Sequence, residues 1–164
     1  MEGAATLQCP HTACMKRLLY ERSLFISSTI PCLGLSHPVL LTSGRIQWIL
    51  KIPGPPCTAY QDHIYELQID YNSSYPFVAP YLLFITPLFH PNITPTGRMS
   101  TIMTNTWNPH DTVTTIYEDI LHILANPIKE YPYNEEAVEL YYTKPYIFYE
   151  KVQYTYNTRA TSIV

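Results

Sequence analysis

HPNITPTGRMSTIM, residues 90–103, is the stretch on which the reading of this chain turns. It gathers a proline-fixed turn, an asparagine, a glycine and a serine into a few positions. Serine is a nucleophile only where a general base is held within hydrogen-bond reach, normally a histidine oriented by a carboxylate. No G-x-S-x-G elbow surrounds Ser100, and His110 sits beyond the Trp107 turn. Read alone, the segment is a turn-rich loop with a hydroxyl whose purpose depends on what flanks it.

The upstream flank reads as a helix and then a run of strands. ACMKRLLYERSLF, from Ala13, has Met15, Leu18, Leu19 and Phe25 on helical spacing, with Lys16, Arg17, Glu21 and Arg22 expected to face away. LSHPVLLTSG predicts an edge strand limited by Pro38, with Ser43 and Gly44 turning the chain. RIQWILKI and IYELQIDY alternate as strands with one wet face, and YLLFITPLF predicts a more fully buried strand. PGPPCTAYQDH between the first two is too proline-rich for regular structure. Sequential strands of this kind form an antiparallel meander.

Downstream of the loop, TWNPHD precedes TVTTIYEDILHILANP, where Val113, Ile116, Ile120 and Leu124 form one stripe and Asp111 or Thr112 offers a cap. A further helix is expected near Asn134, with Glu135 and Glu136 in its first turn, and YIFYEKVQYTYN reads as a last, tyrosine-rich helix with strand as the competitor. The class is therefore α+β: an N-terminal helix, a four-stranded antiparallel meander sheet, a central helix and C-terminal helices. No strand leads into a Gly-rich phosphate turn of the Rossmann or P-loop kind. The expected organisation is a flexible N-terminal segment over residues 1–12, one domain over 13–158 and a C-terminal tail over 159–164.

Composition bounds the function. A chain of 164 residues is a natural size for one domain burying roughly 70% of its unfolded surface. With 46% hydrophobic and 14% charged residues and a net charge of −3, it carries no basic arm for nucleic acid. Its apolar runs are too short to span a bilayer. Cys9, Cys14, Cys32 and Cys57 follow no secretory h-region, so reduced thiols and a cytoplasmic or nuclear location are expected. Cys9, His11 and Cys14 lack standard zinc spacing, and neither metal nor cofactor is expected.

Several phrases fall in a recognisable order: Ile52 with Gly54 and Pro55, Thr58 with Tyr60, Tyr75-Pro76-Phe77 before Pro80, His90-Pro91-Asn92, Gly97, then Trp107 and Pro109 before the central helix. In this order the chain resembles the ubiquitin-conjugating (E2) family, or its catalytically inactive variant branch, from KRLL in the first helix to YEKVQ in the last. The resemblance implies the UBC-like fold and a set of roles. Ser100 occupies the position of the family's active cysteine, eight residues after Asn92. Asn92 would support the oxyanion, His90 and Gly97 would brace the loop, and Tyr131, with Glu130 beside it, would stand on the acceptor side. Lys16, Arg17, Phe77, Asn108 and Pro109 would form the surface that an E3 ubiquitin ligase or ligase complex reads. An active E2 or ubiquitin itself are further implied partners.

The departures from the family pattern bear on catalysis. Gln61, Asp62 and His63 replace the usual glycine pair, Tyr71-Asn72 the usual Phe-Pro, and Phe89 the commoner tyrosine. A thiol with a pKa of about 8.5 supplies some thiolate near neutrality, whereas a serine hydroxyl does not. An ester on Ser100 would also be a poorer donor than a thioester. The residues leave two main readings open: a noncatalytic adaptor with a native serine, or a conjugating enzyme whose active cysteine has been changed to Ser100. A hydroxyl with another role is a third.

Overall fold

Alternation and helical spacing place the elements of the computed structural model, which describes residues 10–28, 34–99, 106–130 and 132–158. Helix α1 spans Pro10–Ser27, beginning three residues ahead of the expected Ala13 because Pro10 is tolerated in a first helical turn. The sheet follows as β1 (Gly34–Leu35), β2 (Val39–Leu40), β3 (Ile46–Pro53), β4 (Ile64–Tyr71) and β5 (Tyr81–Phe84). Helices α2 (Val113–Ala125), α3 (Glu135–Thr143) and α4 (Pro145–Asn157) complete the chain.

All pairings are antiparallel, in the order β1, β3, β4, β5 with β2 also on β3. The expected single edge strand over LSHPVLLTSG is thus two short pieces on the same edge of β3, since Pro38 lies between them and lacks an N–H for the ladder. In β3, Ile46, Trp48, Leu50 and Ile52 are buried, and in β4, Tyr65, Leu67, Ile69 and Tyr71. β5 departs from expectation. It is four residues long and alternates, with Leu82 and Phe84 inside and Tyr81 exposed, because helices cover only one face of the sheet.

That covered face is the core. Helix α2 lays Val113, Ile116, Tyr117, Ile120, Ile123 and Leu124 into it. Leu18 and Phe25 of α1, Ala137 and Leu140 of α3, and Phe148 and Val152 of α4 close its sides. Asn134 caps α3 by accepting the Ala137 N–H at 3.1 Å, and Pro145 opens α4, so the tyrosine-rich terminus is helical. Amphipathic packing outweighs the modest helix propensity of its aromatics.

Candidate functional site

The His90–Asn92 turn is built from buried polar groups. His90 is fully buried; its Nδ1 accepts the Asn92 N–H at 2.9 Å and its Nε2 donates to the Ile123 carbonyl at 3.1 Å. Both contacts require the neutral Nε2–H tautomer, and burial lowers the pKa to about 4. At neutral pH this uncharged ring ties the turn to the end of α2, its one N–H held by the Ile123 carbonyl.

Asn92 makes a two-way clamp. Its Oδ1 accepts the Ile128 N–H at 2.8 Å while its Nδ2 donates to the Ile128 carbonyl at 2.6 Å. The sequence left Asn92 between a turn cap and an oxyanion-facing group; in the structure both side-chain amide atoms engage the Ile128 backbone, 36 residues away. Pro91 O adds to it, accepting from the Tyr133 and Asn134 amides at 2.8 and 3.1 Å. The segment after α2 is thereby docked on the turn, with Glu130 exposed beside it.

Gly97 is required twice over. Its φ is +84°, and a Cβ there would lie 2.1 Å from the Phe84 carbonyl oxygen. Its own carbonyl accepts the Phe84 N–H at 2.9 Å, so the 94–98 turn is pinned to the edge of β5. Ser100 and Tyr131 lie outside the described residues, as do Cys9 and Cys32 and the side chain of His11. Of the described cysteines, Cys14 is buried with its thiol toward the Asn72 carbonyl, and burial followed by Glu21 raises its pKa. Cys57 is exposed in the proline-rich loop. Among the described residues no group of three or more His, Cys, Asp or Glu could hold a metal ion, and no helix is long and apolar enough to cross a membrane.

A second cluster forms around Glu21, which is buried at 2% exposure rather than facing away as expected. Its carboxylate accepts from the Arg17 guanidinium, from the Tyr75 hydroxyl at 2.7 Å and from the Val113 N–H at the start of α2 at 3.1 Å. A carboxylate at a helix N-terminus also meets the favourable end of the dipole. Arg17 reaches on to the Asp111 carbonyl at 3.4 Å, and burial and Glu21 together push the Tyr75 pKa up. The available signal was spacing: Cys14, Leu18, Glu21 and Phe25 share one stripe of α1, so Glu21 falls on the buried face.

This cluster holds a ledge. Trp107 donates its indole N–H to the Pro76 carbonyl at 2.8 Å and lies against Tyr75, while Asp111 accepts the Asn108 N–H at 2.7 Å. Phe77, next to these anchors, is 80% exposed. Asn108, Pro109 and Lys16 are exposed as well, and Arg17 is half-buried. α1 and the 75–77 and 107–111 loops, which carry the five residues assigned to the ligase surface, are tied together through Glu21, Arg17 and Trp107.

Helix, meander, central helix, the His90–Asn92 turn and the Phe77 ledge together define a UBC-like protein. The ubiquitin-conjugating enzyme family model matches residues 32–156, and the chain belongs to that family. It is 30% identical over 116 residues to a Candida albicans protein named ubiquitin-conjugating enzyme E2 2, covering 70% of this chain and 65% of that one. It is 27% identical over 116 residues to a ubiquitin-conjugating enzyme E2 of African swine fever virus (strain Badajoz 1971 Vero-adapted), covering 65% of this chain and 53% of the relative. The matches thus span between about half and two thirds of these relatives' length. A Plasmodium yoelii crystal structure assigned to the ubiquitin-conjugating enzymes superposes with a TM-score of 0.74 at 23% identity, over 96% of this chain and 97% of that one. At that identity the superposition speaks for the fold alone.

Proposed function

We propose that this protein is a noncatalytic E2-like adaptor of the ubiquitin pathway, cytoplasmic or nuclear, that binds an E3 ligase, an active E2 or ubiquitin without forming a thioester. The observation that carries it is Ser100, eight residues after Asn92, where the resemblance to the family implies its cysteine. Oxygen at that position provides no thiolate, and the acyl ester it could form is a sluggish donor. The Phe77 ledge supports a binding role: an exposed aromatic on an anchored loop is the kind of side chain that dominates small protein interfaces. On this reading Phe77 and Pro109 insert into the partner, Lys16 and Asn108 supply polar rim contacts, and Arg17 positions α1 through Glu21.

Incubation with ubiquitin-activating enzyme, ATP and ubiquitin should yield no adduct that thiol reductant removes, while the Phe77→Ala, Pro109→Ala pair should lose the partner that the unmodified chain co-purifies. A reductant-sensitive adduct would overturn the adaptor reading. Retention of every partner by the pair would remove the ledge from it.

The retained clamp of His90, Asn92 and Ile128, with Gly97 beyond it, favours a second reading: a conjugating enzyme in which Ser100 replaces the active cysteine. On that reading Ser100→Cys restores a reducible ubiquitin thioester, Asn92 supports the developing oxyanion, and Glu130 and Tyr131 face the incoming lysine. A coding sequence with cysteine at 100 decides for it; a serine codon decides for the adaptor.

A further inference from the structure

The outer face of the sheet carries a pocket. Register places its walls: Gln47 pairs with Asp70, and Asp70 with Tyr81, so these side chains share the outer face. One step along, Arg45 and Asn72 flank the Ile46–Tyr71 pair and take the same face. The Gly97 turn brings Arg98 into a bridge with Leu83, next to β5. Arg45, Asp70, Asn72, Ala79, Tyr81 and Arg98 line a cavity of about 420 Å³.

Its charges are arranged for an anion with a small polar body. Among the described residues neither Arg45 nor Arg98 meets a carboxylate within ion-pair distance. Asp70 is engaged otherwise: its Oδ1 accepts from the Gln47 and Gln68 amides at 3.2 Å each, and its Oδ2 from Gln68 at 3.0 Å. One lone-pair site on Oδ2 is left to accept a hydrogen. Asn72 uses its Oδ1 on the Ser74 N–H at 2.8 Å, so its NH₂ is the group left to act as a donor. Two arginines, an asparagine and a tyrosine therefore line one opening alongside a single carboxylate residue. A carboxylate ligand has only two oxygens for these donors, whereas a phosphate has three and up to two charges near neutrality. The volume falls within the small-ligand range of about 300–1,000 Å³, which leaves room for an organic body beside the phosphate.

We propose that this pocket binds a phosphomonoester, with Arg45 and Arg98 on the phosphate, Tyr81 against the ligand body and Asp70 accepting a hydroxyl or ammonium hydrogen from it. It uses none of the residues of the clamp or the ledge and holds whether or not the chain carries ubiquitin. The phosphate comes either from a free small molecule or from a phosphorylated side chain.

Calorimetric titration of the full chain with inorganic phosphate, O-phosphoserine and a phosphoserine peptide tests it. Saturable binding is expected, tighter for O-phosphoserine than for inorganic phosphate because of Asp70. Arg45→Gln and Arg98→Gln should each weaken it by roughly tenfold, as charge-assisted bonds do. Lys51→Gln, on the same face but outside the pocket, should not. Asp70→Asn should raise the affinity for inorganic phosphate and erase the preference for O-phosphoserine. A peptide that binds more tightly than O-phosphoserine points to a polypeptide source, and the reverse to a small molecule; either sustains the proposal. No saturable binding of any probe overturns it, as does unchanged binding in a folded Arg45→Gln, Arg98→Gln variant. Amide shifts in the unsubstituted chain give an independent reading: they should centre on Tyr81 and Arg98, and shifts confined elsewhere overturn the assignment.

Discussion

Glu21 shows how one side chain joins three elements: its carboxylate serves Arg17 in its own helix, Tyr75 in the 75–77 loop and the first amide of α2. Glu21→Ala would leave the Tyr75 hydroxyl and the Val113 amide without their acceptor and Arg17 without its counter-charge, at a cost of about 2–4 kcal/mol. Urea unfolding of the variant checks the figure; an unchanged midpoint would mean the carboxylate contributes nothing net. Gly97→Ala addresses a different constraint. With a left-handed backbone and a carbonyl oxygen 2.1 Å from the added carbon, the turn must move off β5, and a loss above about 2 kcal/mol is expected by thermal unfolding. Neither residue was equally legible beforehand. The glycine stood out by type, whereas Glu21 read as a surface charge because charged residues are almost never fully buried unless paired, and two of its three partners are 54 and 92 residues distant.

At the scale of elements, the ledge depends on a bond between two loops. Trp107→Phe keeps an aromatic ring beside Tyr75 and removes the hydrogen bond to the Pro76 carbonyl, a change of about 1 kcal/mol. Faster amide exchange at Phe77 and Val78, both now bonded to Ser74 O, is the expected readout, with weaker partner capture at near-normal stability. The strands and helices themselves were largely legible. β4 has the boundaries its alternation predicts, and α2 buries the predicted stripe together with Tyr117 and Ile123. The edge and the last strand were less so. Pro38 divides the first of these into two pieces, and the apolar run from Tyr81 gives no period to distinguish a strand buried on both faces from one covered on a single face.

For the molecule as a whole, the buried neutral His90 couples folding to pH. Its pKa falls from 6.5 to about 4 on folding, so the folded state binds fewer protons between those values. Stability is full above about pH 6.5 and declines as pH drops toward about 4, by at most on the order of 3 kcal/mol from this group. Denaturation series at about pH 7 and about pH 4.5 should show the decline, and His90→Gln should flatten its slope. A His90 imidazole resonance, assigned by its loss in His90→Gln, that titrates near 6.5 in the folded chain would refute it. What the sequence determined alone is what repeats locally: the two-residue alternation of β3 and β4, the helical stripe of α2, the proline and glycine punctuation, and a serine eight residues after Asn92. Tertiary structure alone decided which distant groups meet: Asn92 on the Ile128 backbone, Glu21 beneath α2, Phe77 in solvent, and Arg45 with Arg98 around one opening. Periodicity assigns a residue to a face, but the partner waiting on that face is set by packing between segments far apart in the chain.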